Sequence, residues 1–160
     1  MTKKNIHIEY EELISVNECS SQIQKLFEEA NQAKSNAYAP YSNFQVGAAL
    51  LLENGEIITG NNQENAAFPS GLCAERVAIF AAKSKFPKVA IKDLVVVTSA
   101  KNIKVPISPC GGCRQALIEY EFAQKQAFNI YLQSANNSII KINSAQDLLP
   151  FSFHSDMLNA

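Results

Sequence analysis

Cys73-Ala74-Glu75 and Pro109-Cys110-Gly111-Gly112-Cys113 constrain this chain more than any other feature. Three thiols and a carboxylate sit in two short motifs, and a fold that uses them together must bring both to one point. Cys110 and Cys113 are three apart, so on the first turn of a helix they share a face. Cys73 also stands at an expected helix start. Helix N-termini favour negative charge and lower thiol pKa values. Two helix starts converging on one cation would satisfy both motifs, and soft thiolates at this spacing select zinc. A structural zinc site needs a fourth closing ligand, whereas a catalytic one leaves that position to water. Three cysteines with Glu75 beside them therefore point to activated water and a carboxylate proton shuttle.

Taken alone, Cys110-Gly111-Gly112-Cys113 fits a redox dithiol or half of a structural zinc site equally well. A redox pair needs neither Cys73 nor Glu75. A four-cysteine site would need Cys19, whose helical apolar spacing marks it as a small core residue. His7-Ile8-Glu9 matches the His form of the metal motif, but in an alternating segment with no helix start. His7 is read as a surface strand residue and His154 as a solvated tail residue. Three thiolates around a divalent cation leave excess negative charge. Arg76 and Arg114 directly follow the two motifs and are candidates to donate hydrogen bonds to the sulfurs.

The bulk properties narrow the class. At 160 residues the chain has single-domain length, expected as one domain over 1–160. Folding at that size buries roughly 70% of the extended chain's surface, enough for a core without disulfides. With 14 basic and 15 acidic residues the formal net charge is −1, which argues against a nucleic-acid partner. No apolar run approaches the ~18 residues of a membrane span, and no apolar stretch follows Lys3-Lys4 as a signal peptide would require. The expectation is a cytoplasmic protein with no membrane partner, whose four cysteines serve as ligands or free thiols.

Periodicity supplies the element order. Residues 6–10 alternate like a short edge strand. Residues 16–36 carry Cys19, Ile23, Leu26, Phe27, Ala30 and Ala33, mostly at spacings of three and four, as a helix does. Strands are expected at 44–52 and 56–60 around an Asn54-Gly55 turn. A nearly all-apolar helix covers 73–83, and Leu94-Val95-Val96-Val97 marks a buried strand over 90–99. Ser108-Pro109 has the form of an N-cap and first helical residue, with the helix running to about 124. Strands at 128–133 and 138–142, joined by a short link, suit an antiparallel pair. A short helix near 145–149 follows. Such an order implies one mixed sheet with helices on its faces.

The sequence resembles the homotetrameric, short-chain cytidine deaminase family in its three-cysteine zinc form. The likeness is carried, from about residue 37 to 153, by Ala39-Pro40-Tyr41-Ser42-Asn43-Phe44-Gln45-Val46-Gly47-Ala48-Ala49, Asn62-Gln63-Glu64-Asn65-Ala66-Ala67-Phe68, Cys73-Ala74-Glu75-Arg76, Pro109-Cys110-Gly111-Gly112-Cys113-Arg114-Gln115 and Leu148-Leu149-Pro150. The two cysteine motifs match the signature of zinc deaminases. The resemblance implies an α/β fold with a single mixed five-stranded sheet sandwiched by helices, its last two strands antiparallel. Residues 1–15 fall outside it as an N-terminal extension. It implies one zinc per subunit on Cys73, Cys110 and Cys113, with Glu75 as proton shuttle. Asn62 and Glu64 would bind the sugar hydroxyls, Phe44 would pack on the pyrimidine, and backbone around Ala74 would read the base. Phe153, with Phe151 as its rival, would reach a neighbouring subunit's site in a homotetramer. The implied activity is hydrolytic deamination of cytidine and 2′-deoxycytidine in pyrimidine salvage. The competing readings are a deaminase of another amino-heterocycle, such as blasticidin S, and a non-enzymatic zinc or thiol module.

Overall fold

The computed structural model describes residues 1–158. Six strands form one mixed sheet: β1 (Tyr10–Leu13), β2 (Val46–Leu52), β3 (Ile57–Asn61), β4 (Ile91–Thr98), β5 (Asn129–Gln133) and β6 (Ile139–Ile142), in the spatial order β1-β6-β5-β4-β2-β3. Only β4 and β5 run parallel; the other neighbours, including the last two strands, are antiparallel. Three α-helices, α1 (Ser21–Ser35), α2 (Ala74–Lys85) and α3 (Gly111–Gln124), complete the frame. A parallel pair needs a crossover, which α3 supplies. No helix among the described residues is long and apolar enough to cross a membrane.

Strand alternation divides the core in two. Ala48, Leu50, Leu52, Leu94 and Val96 point to the face covered by α2 and α3, where Ala78, Ile79, Leu117 and Ile118 are fully buried. Ala49, Leu51, Val95 and Val97 point the other way, to Ile23, Leu26, Phe27 and Ala30 of α1. Both faces of β4 are covered, which explains its continuous apolar run.

Two glycines set how closely the helices approach. A Cβ on Gly47 would stand 2.0 Å from Ala30 O of α1. One on Gly60 would stand 2.5 Å from both Ala74 O and Ala78 N, in the first turns of α2. Gly60 thus seats the turn that carries the first cysteine motif.

The sheet has six strands where five were expected. The sixth is not the alternating 6–10 segment: Ile6 and Ile8 are exposed, and β1 begins at Tyr10. Leu13 decides the pairing, because it packs on the α1 side of the core and lies opposite Ile139. The expected 16–36 helix is divided. A 3-10 turn spans Val16–Glu18, and α1 starts after Ser20, whose hydroxyl accepts from Ile23 N. Cys19 ends the 3-10 turn and packs, half-buried, against the α1 cluster. The start of α3 also moves: its N-cap is Cys110, while Ser108 and Pro109 are engaged by Arg114. His154 is only partly exposed. Its ring stacks on Phe122 of α3 at 4.3 Å and 10°, which docks the tail on the helix.

Candidate active site

Cys73 and Cys110 occupy equivalent positions, each the N-cap of its helix in extended backbone. Cys113 follows inside the first turn of α3 and is fully buried. Their sulfurs meet: Cys73 Sγ to Cys110 Sγ is 3.7 Å, Cys110 Sγ to Cys113 Sγ is 3.6 Å, and all three lie within 4.8 Å of one another. A tetrahedral zinc ion with bonds of ~2.3 Å spaces its sulfurs roughly 3.8 Å apart, so the donor set fits that ion. Among the described residues it is the one His/Cys/Asp/Glu group arranged to hold a metal.

Electrostatics agree with a cation. The hydrogen bond from Cys113 and the nearby Arg76 guanidinium, working against burial, hold the Cys73 thiol down at about 5. The same hydrogen bond and burial push the Cys113 thiol up. One negative charge is thus accommodated and a second beside it is resisted. A divalent ion removes that resistance, since ligating thiols bind deprotonated. Arg76 Nη2 lies 4.0 Å from Cys73 Sγ and 3.4 Å from Gly71 O. Arg114 departs from the expectation of a sulfur contact. Its guanidinium donates to Pro109 O at 2.8 Å, Leu148 O at 2.7 Å and Ser108 Oγ at 2.9 Å. It ties the segment leading into α3 to the 3-10 turn Ala145–Leu148.

A cavity of about 390 Å³ opens beside the sulfurs. Cys73, Cys110 and Glu75 line it, together with Phe44, Asn62 and Glu64 from the β2 and β3 side. Glu75, in the first turn of α2, is 5% exposed, and burial pushes its carboxyl up. A second cavity, about 510 Å³, shares Asn62, Glu64 and Cys73 with the first and adds Arg76.

The polar end of the site is also a brace. Asn62 is buried; its Oδ1 accepts from Val46 N at 2.8 Å, and its Nδ2 donates to Phe44 O at 2.9 Å. Each end of the amide keeps one further hydrogen-bonding position. The Glu64 carboxylate accepts from Tyr41 N at 2.9 Å, from Ser42 N at 3.2 Å and from the Ser42 hydroxyl. Those bonds, the Ser42 hydroxyl first, hold its carboxyl below the usual range.

Residues 20–128 match the family described as "Cytidine and deoxycytidylate deaminase zinc-binding region". The chain belongs to that family. A cytidine deaminase of Halalkalibacterium halodurans is 40% identical over 136 residues, which span 85% of this chain and 97% of the relative. One of Sporosarcina psychrophila is 39% identical, over 86% and 95% of the two chains. The crystal structure of cytidine deaminase from Burkholderia pseudomallei superposes with a TM-score of 0.71 at 39% identity, covering 81% of this chain and 98% of that one.

Within this deaminase framework the expected residues fall in two groups. Phe44, Asn62, Glu64, Cys73, Glu75 and Cys110 line one cavity, with Cys113 directly behind them. Ala74 is fully buried at the start of α2. Phe151 and Phe153 do not line the cavity in the single chain: they are 90% and 55% exposed, and Phe153 O accepts from Gln115 Nε2 at 2.7 Å. His7 is exposed, and His7-Ile8-Glu9 joins no metal-holding group among the described residues. Sequence reasoning missed Ser42, Thr98, Ile107 and Ser108 as wall residues. Ser42 had a signal, since it stands inside the Pro40–Phe44 block; Thr98 had none, being the end of a core strand.

Proposed function

We propose that this chain hydrolyses the exocyclic amine of cytidine and 2′-deoxycytidine, giving uridine or 2′-deoxyuridine and ammonia. The observation that carries this reading is one cavity holding the cysteine cluster and Glu75 at one end and Phe44, Asn62 and Glu64 at the other. Cys73, Cys110 and Cys113 would hold a zinc ion, which would supply Lewis-acid activation of water, bringing its pKa toward ~7. Glu75 takes the proton released as water oxygen bonds to C4 of the pyrimidine. It passes that proton to N3, then takes the second proton from the oxygen now on C4 and gives it to the amine, which leaves as ammonia as the C4–N bond breaks and C4–O becomes a carbonyl. Its burial excludes bulk water from that transfer. General acid–base catalysis of this kind contributes roughly 10²–10⁴-fold.

Phe44 packs on the pyrimidine, and backbone groups at Ala74, at the open start of α2, read the amide edge of the base. Asn62 and Glu64 bind the sugar hydroxyls with the positions their braces leave free. Arg76 offsets charge at Cys73, and Arg114 positions the Cys110 segment through its three bonds. The chain is one deaminase-like domain over 1–160 that acts in pyrimidine salvage. Thiol ligands favour a reducing compartment, in agreement with the cytoplasm. The protein is a homotetramer with sites at subunit interfaces, where Phe153 or Phe151 reaches the neighbouring site. Support comes from Phe68, Phe80, Phe151 and Phe153, which the single chain leaves exposed. Light scattering is expected to give about four times the 17.6 kDa protomer mass; a monomer at micromolar concentration contradicts the assembly.

Substrate choice tests the reading. Cytidine and 2′-deoxycytidine are expected to turn over well and free cytosine poorly, because an analogue without the sugar leaves the remaining hydrogen-bonding positions of Asn62 and Glu64 unfilled. Equal efficiency on cytosine removes their sugar-binding role, and turnover of blasticidin S alone moves the substrate to another amino-heterocycle.

A further inference from the structure

We infer that Ser42 is a specificity-determining positioning residue, whose hydroxyl sets the Glu64 carboxylate and the Phe44 backbone in one geometry for the sugar of the substrate. The inference rests on the nucleoside reading above and extends it to a residue outside both cysteine motifs. Ser42 Oγ donates to Glu64 Oε1 and accepts from Phe44 N at 3.0 Å. One hydroxyl therefore joins the two residues proposed to hold the opposite halves of a nucleoside, its sugar and its base.

The backbone around it is built for that junction. Asn43 has φ 55, a left-handed conformation that Asn tolerates better than most residues. Asn43 N donates to Ala39 O at 3.1 Å, closing the turn that returns the chain to Phe44. Glu64 Oε2 is already taken by Tyr41 N and Ser42 N. The Ser42 hydroxyl is the one bond to Oε1 among the described residues, and so fixes the rotation of the carboxylate. Glu64 N in turn donates to Tyr38 O at 2.9 Å, so the loop and the acid hold each other from both ends. All three side chains line the same cavity as Glu75.

Ser42→Ala removes both bonds, while Ser42→Thr keeps a hydroxyl. In zinc-loaded protein, hydrogen exchange of the 41–46 segment is expected to quicken in S42A and to stay near wild type in S42T. The KM for cytidine is expected to rise roughly three- to tenfold in S42A, the worth of about one hydrogen bond, with kcat within about twofold. With 2′,3′-dideoxycytidine, which lacks the 2′ and 3′ hydroxyls and keeps the 5′ one, the S42A penalty is expected to shrink. Equal penalties on both nucleosides, an S42T variant as impaired as S42A, or unchanged exchange would overturn the inference while leaving the deaminase reading intact. A wild-type protein that turns over neither nucleoside overturns the deaminase reading, and this inference with it.

Discussion

Gly60→Ala tests the link between packing and chemistry. The new Cβ would lie 2.5 Å from Ala74 O and Ala78 N, where ordinary contact begins at 3.4 Å. Both neighbours are helix backbone, so neither yields by a rotamer change. The first turns of α2 must therefore lift from β3 by about 0.9 Å (3.4 − 2.5). Cys73 and Glu75 ride on that segment, and Cys73 Sγ stands 3.7 Å from its partner on α3. Overpacking of this kind costs about 1–3 kcal/mol, a fall in Tm of roughly 2–12 °C for a domain of this size. A misplacement near 1 Å at reacting groups costs about 10²-fold in rate. Calorimetry, zinc content and kcat/KM for cytidine read the three effects. Gly55→Ala is the control. It strains a φ of 84° in the β2–β3 turn with open space around it, so it is expected to lower Tm and leave kcat/KM unchanged. Wild-type kcat/KM in G60A, or equal loss in both variants, would refute the role of Gly60 in seating the site.

Glu121→Ala is expected to lose about 3 kcal/mol or more, because its buried carboxylate accepts from Phe128 N, Ala145 N, Gln146 N and the Ser144 hydroxyl. Denaturant titration measures this, and a loss below about 1 kcal/mol would contradict it. Cys113→Ser is expected to bring zinc well below one ion per protomer by elemental analysis; full occupancy would contradict a three-thiol site.

What could be read from residue order differed by element. The β2–β3 hairpin was legible because Asn54-Gly55 allows few turns, and Gly55 adopts the positive φ that turn needs. Strand β4 was legible because both its faces are buried. The cysteine cluster was legible because few chemistries use that spacing. Strand β1 was misplaced, since Ile6, Ile8 and Tyr10 alternate well yet point to solvent, and the pairing instead follows Leu13. The α3 start was misplaced for a tertiary reason: Ser108 and Pro109 look like a cap but are held by Arg114, so Cys110 caps instead. Asn62 and Glu64 are expected at the site through the family resemblance alone, and their bracing of residues 41–46 depends on a loop conformation that periodicity does not encode.

The most direct test is ultraviolet-monitored conversion of cytidine by zinc-loaded protein beside its Glu75→Gln variant. The expected result is rapid formation of uridine by the native chain, and almost none by E75Q with its zinc retained. Full activity in E75Q would contradict the proton-shuttle role of Glu75, and no conversion by the zinc-bound native chain would contradict the cytidine substrate itself.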